Sequence, residues 1–259
     1  MFRSKKIFFL DRDGTLALGK RVIPEANRFL EALSSAGKVF YVLTNNSSRT
    51  PVQHYERLIS LGLNVTLDNI LVSIQAAMSF LRDNGYRQIF WIANKSVDKY
   101  LRENGFEFEK QRPDCVLLTY DTELTYEKLV QLTTLVRQGI PYFTTHEDIV
   151  CPTESGSVPD VGTFIKAIEM TTGMRPSRSF GKPNPAFIEP VLAKHGFTAD
   201  DAVIVGDRLY TDIKMAINTG ITSVLVLTGE TTREDHEVSS YKASLVVNSV
   251  VDLIPLLGN

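Results

Sequence analysis

Four short stretches carry the side chains that could do chemistry. They are Asp11-Arg12-Asp13-Gly14-Thr15, Thr44-Asn45-Asn46-Ser47-Ser48, Gly181-Lys182-Pro183, and Gly206-Asp207-Arg208-Leu209-Tyr210-Thr211-Asp212. Asp11 and Asp13 stand two apart, so at a strand end both side chains leave on the same side. Two carboxylates held together repel unless a cation or a shared proton relieves them. Thr44 offers a hydroxyl beside backbone amides, a pattern that can hold phosphate oxygens. Lys182, just ahead of a helix, brings a positive charge that suits an anion. Asp207 and Asp212 add two more carboxylates. Singly, each stretch reads as well as a polar turn or a helix cap. Together they put four carboxylates, a lysine and a hydroxyl at strand ends. That much negative charge demands compensation, and hard oxygen donors with room for water suit Mg²⁺.

The elements around these stretches must bring them together. Ile7-Phe8-Phe9-Leu10 is a wholly apolar run, as expected of a strand covered on both faces. Strands are likewise expected at 38–43, 88–93, 115–120, 140–145, 202–205, 223–227 and near 245–247. Helices are expected at 24–36, after Thr50-Pro51, and at 74–84, 96–104, 125–138, 160–172, 184–195 and 210–219. The alternation argues for an α/β fold with a doubly wound, Rossmann-like parallel sheet. In such sheets ligands collect beyond the carboxyl ends of the strands, where Asp11, Thr44 and Asp207 fall.

Composition narrows the class further. The 259 residues are 43% hydrophobic and 22% charged, with a formal net charge of −2, which gives no support for capturing nucleic acid or an anionic membrane. No run reaches the length of a membrane span, and Asp11 interrupts the apolar N-terminal stretch before it could serve as a signal peptide. Cys115 and Cys151 show no framework spacing. A reduced, cytoplasmic protein without nucleic-acid or membrane partners is expected, and a homodimer is compatible with the chain. His54, His195 and His236 read as surface residues.

In order and spacing the four motifs resemble the haloacid dehalogenase (HAD) superfamily over the whole chain. Leu43-Thr44-Asn45-Asn46-Ser47-Ser48, Cys151-Pro152-Thr153, Gly181-Lys182-Pro183 and the Gly206–Asp212 stretch are similar to subfamily IIA. This is the branch of NagD-like and 4-nitrophenylphosphatase-like members that includes phosphoglycolate and pyridoxal phosphate phosphatases. The resemblance implies a Mg²⁺-dependent phosphatase with Asp11 as the nucleophile and Asp13 as the acid and base. It implies that Thr44, Asn45, Asn46 and Lys182 hold phosphate. Asp11, Asp13 through its backbone carbonyl, Asp207 and Asp212 would serve the metal. A carboxylate nucleophile divides hydrolysis into two easier steps, and a metal and a lysine supply the charge neutralisation that phosphoryl transfer needs. The second acid at position 13 separates phosphatases from the related dehalogenases.

Far more chain lies between Thr44 and Lys182 than the few tens of residues one crossover needs. Residues 79–178 are expected to form an inserted α/β cap of the type-two kind, leaving 1–78 plus 179–259 as the catalytic core. The segment from Thr144 to Gly162 resembles the family's substrate-recognition loop, which places His146 and Cys151 as candidate substrate contacts. Cys151 also reads as a small half-buried residue. This loop departs from the family's pattern twice. His146 stands where Asn or Asp is usual, and Val158-Pro159-Asp160-Val161-Gly162 replaces a commoner Pro-Gly-x-Gly. The substrate class implied is a small phosphorylated metabolite such as a sugar phosphate, a nucleotide monophosphate or phosphoglycolate, with 4-nitrophenyl phosphate as a laboratory substrate. A phosphotransferase or mutase, or a silent phospholigand sensor, could use the same residues. A dinucleotide-binding protein would need a Gly-x-Gly-x-x-Gly after the first strand, and none is there.

Overall fold

The computed structural model describes residues 2–153 and 156–258. The chain divides into two compact units. One comprises Met1–Thr44, Pro51–Leu71 and Lys182–Asn259, and the other Asn45–Thr50 and Val72–Gly181. The second unit therefore begins a little earlier and ends a little later than 79–178, and it takes residues 45–50 with it.

The first unit is built on a six-stranded sheet ordered Leu245–Val247, Thr222–Val226, Ala202–Gly206, Ile7–Asp11, Val39–Thr44, Ile70–Val72. The strands whose register is defined pair parallel. Ile7–Asp11 and Ala202–Gly206 are buried along their whole length. A strand covered on both faces must be apolar throughout, which is why these two are evident in the sequence. The helix Ala26–Ser35 buries Phe29, Leu30 and Leu33 on one face. In helix Pro51–Ser60 the buried residues are Pro51, His54 and Leu58. His54 is therefore no surface residue, since it stands four positions from Leu58 on the inward face and is 1% exposed.

Two expected helices are interrupted. In place of 184–195 there is a 3₁₀ turn at Pro185–Phe187 and then helix Glu189–His195. Pro190 has no N–H to continue a ladder, so it sits in the first turn of the second piece. In place of 210–219 there is a π turn at Leu209–Ile213 followed by helix Lys214–Thr219.

The second unit has its own parallel sheet, ordered Arg178–Ser179, Tyr142–Thr144, Cys115–Leu118, Gln88–Ile92, Glu107–Phe108. Helices Tyr126–Arg137 and Val161–Thr172 pack Leu132, Leu135, Val136, Ile165 and Ile168 into one cluster with Phe90, Val116 and Leu118 of the sheet. The segment expected as a loop before residue 160 contains an antiparallel pair, Val150–Thr153 with Gly156–Pro159. Among the described residues no helix is long and apolar enough to cross a membrane.

Candidate active site

In the first unit the strand Ile7–Asp11 lies between Val39–Thr44 and Ala202–Gly206. Asp11 is opposite Leu43, and Leu10 is opposite Val205. Asp11, Thr44 and Asp207 therefore leave the same edge of the sheet.

Lys182 ties the acidic groups together. Its Nζ donates to Asp11 Oδ1 and, at 2.7 Å, to Asp212 Oδ1. Asp212 Oδ2 accepts the Arg208 N–H at 3.2 Å, which fixes the carboxylate across the mouth of the π turn. Widened turns of this kind recur at functional sites. Oxygens of Asp11, Asp207 and Asp212 all lie within 4.8 Å of one another. The backbone makes room for them: a Cβ on Gly206 would overlap the Asp212 carboxylate, and one on Gly229 would overlap that of Asp207.

Asp207 Oδ2 accepts the Glu230 N–H at 2.7 Å. Its Oδ1 is buried and has no hydrogen-bond partner among the described residues. The segment supplying that amide is pinned in turn. Thr228 Oγ1 donates to the Gly14 carbonyl, and the Glu230 carboxylate takes Arg208 Nε at 3.0 Å and the Tyr210 hydroxyl at 3.2 Å. The sequence motifs omit residues 228–230. Their position just past strand Thr222–Val226, at the same sheet edge, was the available signal.

Water cannot screen these charges, because Asp11, Lys182, Asp207 and Asp212 are at most 8% exposed. Burial, reinforced by Asp212, Asp207 and Asp13, raises the Asp11 carboxyl well above the usual carboxylate range despite Lys182. Burial, reinforced by Asp212, likewise pushes Asp207 up to about 7. Burial alone would lower Lys182, but Asp11 and Asp212 more than reverse this and hold it above an ordinary lysine. Three carboxylates thus face one ammonium, and one carboxylate oxygen has no partner among the described residues. A divalent cation with hard oxygen preference fits that donor set.

Asp13 is placed differently. Its carboxylate pairs with Arg12 Nη1 at 3.1 Å, is 31% exposed, and is not part of the three-carboxylate group. Arg12 is buried, and its Nε and Nη2 find no partner among the described residues. Thr44 is buried at its strand end.

The remaining singled-out residues belong to the second unit. Asn45 Nδ2 donates to Asp148 Oδ1 at 3.0 Å, and Ser73 Oγ donates to the Asn45 carbonyl at 2.7 Å. Asn46 contacts Cys151 Sγ at 3.7 Å, and its Oδ1 accepts the Ser48 hydroxyl at 2.6 Å. Ser47 Oγ meets Thr145 Oγ1 at 2.7 Å and accepts the Tyr120 N–H at 2.9 Å. Cys151 is half-buried, while His146 is wholly enclosed between Asp148 and Asp160.

Residues 8–107 match the haloacid dehalogenase-like hydrolase family profile, and residues 179–253 match a second HAD-hydrolase-like profile. The 5'-nucleotidase YutF of Bacillus subtilis is 30% identical over 256 residues, spanning 98% of this chain and all of the relative. A 4-nitrophenylphosphatase from Thermotoga maritima superposes with a TM-score of 0.95 at 37% identity, over 99% of this chain and 98% of that one. The glycerol phosphate phosphatase of Mycobacterium tuberculosis, crystallised with magnesium, gives a TM-score of 0.89 at 26% identity. That match covers 98% of this chain and 79% of the other.

Proposed function

The chain belongs to the haloacid dehalogenase superfamily, as a NagD-like phosphatase, and from that premise we propose that it hydrolyses a small phosphate monoester with Mg²⁺ through a phosphoryl group carried on Asp11. The observation that carries this reading is the buried Lys182 ammonium shared by Asp11 and Asp212, with Asp207 in the same group of carboxylates.

The steps follow from the chemistry of these side chains. An Asp11 carboxylate oxygen attacks phosphorus, the ester P–O bond breaks, and the leaving oxygen takes its proton from Asp13. A water then gives a proton to Asp13 and attacks phosphorus, and the Asp11–phosphorus bond breaks to release inorganic phosphate. Thr44 and the Asn45 and Asn46 amides hold phosphate oxygens. Lys182 offsets charge on Asp11 and on the transferred group. Asp11, Asp207 and the Asp13 carbonyl would hold the ion, and Asp212 would support them. Bound there, Mg²⁺ would neutralise negative charge on the phosphoryl oxygens. Arg12 keeps the Asp13 carboxylate apart from the three others, as an acid and base requires.

The inserted unit serves as the cap that selects the substrate. The activities for which the relatives are named span a nucleotide, an aryl phosphate and glycerol phosphate, which supports a small monoester and favours none of the three. The test is phosphate release from a panel of phosphorylated metabolites with Mg²⁺, beside the Asp11→Asn variant. Turnover by the parent alone is expected, with the variant slower by about a thousandfold or more. Equal rates from both would overturn the nucleophile assignment.

A further inference from the structure

We propose that the second unit holds a metal site of its own, formed by His146, Asp148 and Asp160, which takes a transition-metal dication such as Zn²⁺ or Co²⁺. One donor atom from each residue lies within 4.8 Å of the other two. His146 is 0% exposed and Asp160 is 3% exposed, so this is no chance gathering of surface acids.

The imidazole supplies an independent sign of a missing partner. Its Nδ1 lies a long 3.4 Å from the Asp148 N, a weak contact that ligation through Nε2 would give up, because the ring proton must then sit on Nδ1. Its Nε2 has no hydrogen-bond partner among the described residues and lies 3.6 Å from Asp160 Oδ1. That separation is too long for a hydrogen bond. A buried polar nitrogen without a partner is costly, so the arrangement calls for something in the gap. A tetrahedral ion with bonds of about 2.1 Å sets its ligands about 3.4 Å apart. The Nε2–Asp160 separation is already near that value, while the Asp148 carboxylate, 3.9 Å from Nδ1, must shift to join it.

The surroundings hold the ligands in place. Asp160 caps helix Val161–Thr172, accepting the Val161 N–H at 2.7 Å. The Tyr120 ring meets the His146 ring edge-on, with centroids 6.5 Å apart. Thr144 Oγ1 donates to the His146 carbonyl at 3.0 Å. These contacts restrict how far the backbone and ring of His146 and the side chain of Asp160 can move.

The ligand set names the ion. An imidazole beside two carboxylates favours Zn²⁺, Co²⁺ or Ni²⁺, whereas the all-oxygen group of Asp11, Asp207 and Asp212 suits Mg²⁺. The two departures from the family's loop pattern, His146 and Asp160, are therefore one feature. A glycine at 160 would have no side chain to offer, and an amide at 146 would be a poor ligand. A bound ion would tie the 146–148 turn to helix Val161–Thr172. Through Asp148 and Asn45 it would also brace residues 45–48, which follow Thr44.

The experiment uses the full-length protein stripped with chelator, then dialysed against micromolar Zn²⁺ in excess Mg²⁺, with zinc per chain read by elemental analysis. One tightly held zinc is expected for the parent. His146→Gln should retain none, and Asp160→Asn at least about tenfold less at limiting zinc, with the asparagine preserving the helix cap. Asp207→Asn should keep its zinc, and with Co²⁺ it should show the visible absorption of an imidazole-ligated ion. Circular dichroism confirms that each variant is folded. No zinc in the parent, or undiminished zinc in folded Asp160→Asn, would overturn the site. The outcome is independent of phosphatase activity, so it succeeds or fails apart from the proposed reaction.

Discussion

Removing the cation should make the protein less stable as pH rises from about 4 to about 7, and adding Mg²⁺ should erase that loss. An unperturbed aspartate titrates near 3.9, while Asp207 is pushed up to about 7 in the fold by burial and by Asp212. Between these two values the folded chain keeps a proton that the unfolded chain has released. The folded state therefore binds more protons there, and its stability falls with pH until Asp207 ionises. The shift is roughly 3 pH units, equivalent to about 4 kcal/mol at most. Asp207 is 2% exposed, so solvent screening takes little from that figure. In a chain of this size 1 kcal/mol moves the melting temperature by about 2–4 °C, so a ceiling of about 8–16 °C is expected. Asp11, also raised well above its usual range, acts in the same direction.

A dication displaces these protons, so the stabilisation by Mg²⁺ should be small at pH 5 and large at pH 8. The assay is thermal denaturation in chelator and in millimolar Mg²⁺ at both pH values, for the parent and Asp207→Asn. The variant in chelator should lose a large part of the pH dependence, since an amide does not titrate. A Mg²⁺ shift of equal size at pH 5 and pH 8 would refute the reasoning. So would chelated protein that becomes more stable as pH rises.

Lys182→Met leaves Asp11 and Asp212 without their ammonium, at a cost of about 3–5 kcal/mol at neutral pH. Lowering the pH should restore part of this as the carboxylates take up protons, and denaturant titrations at pH 5 and pH 7.5 would measure the difference. Gly206→Ala drives a methyl group into the Asp212 carboxylate, so the Mg²⁺ concentration for half-maximal activity should rise about 10–100-fold. Ser47→Ala removes the hydroxyl that meets Thr145 and accepts the Tyr120 N–H. Leaving that buried amide without an acceptor costs about 1–3 kcal/mol, readable in the urea midpoint.

What could be read from the sequence depended on how far each feature is local. Ile7–Asp11 and Ala202–Gly206 are wholly buried, so their apolar runs mark them almost to the residue. The strand Val150–Thr153 has no buried residue, contains a proline, and pairs with Gly156–Pro159, which has no buried residue either. It has no periodic signal, and only pairing with its neighbour defines it. Helix propensity gave no warning of the π turn at Leu209–Ile213, because the reason for it is tertiary: it carries Asp212 to Lys182.

The candidate site divides along the same line. Asp11, Lys182, Asp207 and Asp212 belong to stretches whose order and spacing carry a resemblance, so each could be named in advance. The amide of Glu230 could not be, because its contribution is a backbone N–H and any residue type would offer one. His146 and Asp160 show a third case. Each was visible only as a departure from a pattern, and separately each suggested no more than an altered substrate loop. Their 3.6 Å approach turns two exceptions into one testable chemistry. A sequence pattern records what each position shares with relatives, so it reports two linked departures as two losses. Only a structure can show that a side chain gained at one position answers a side chain gained at the other.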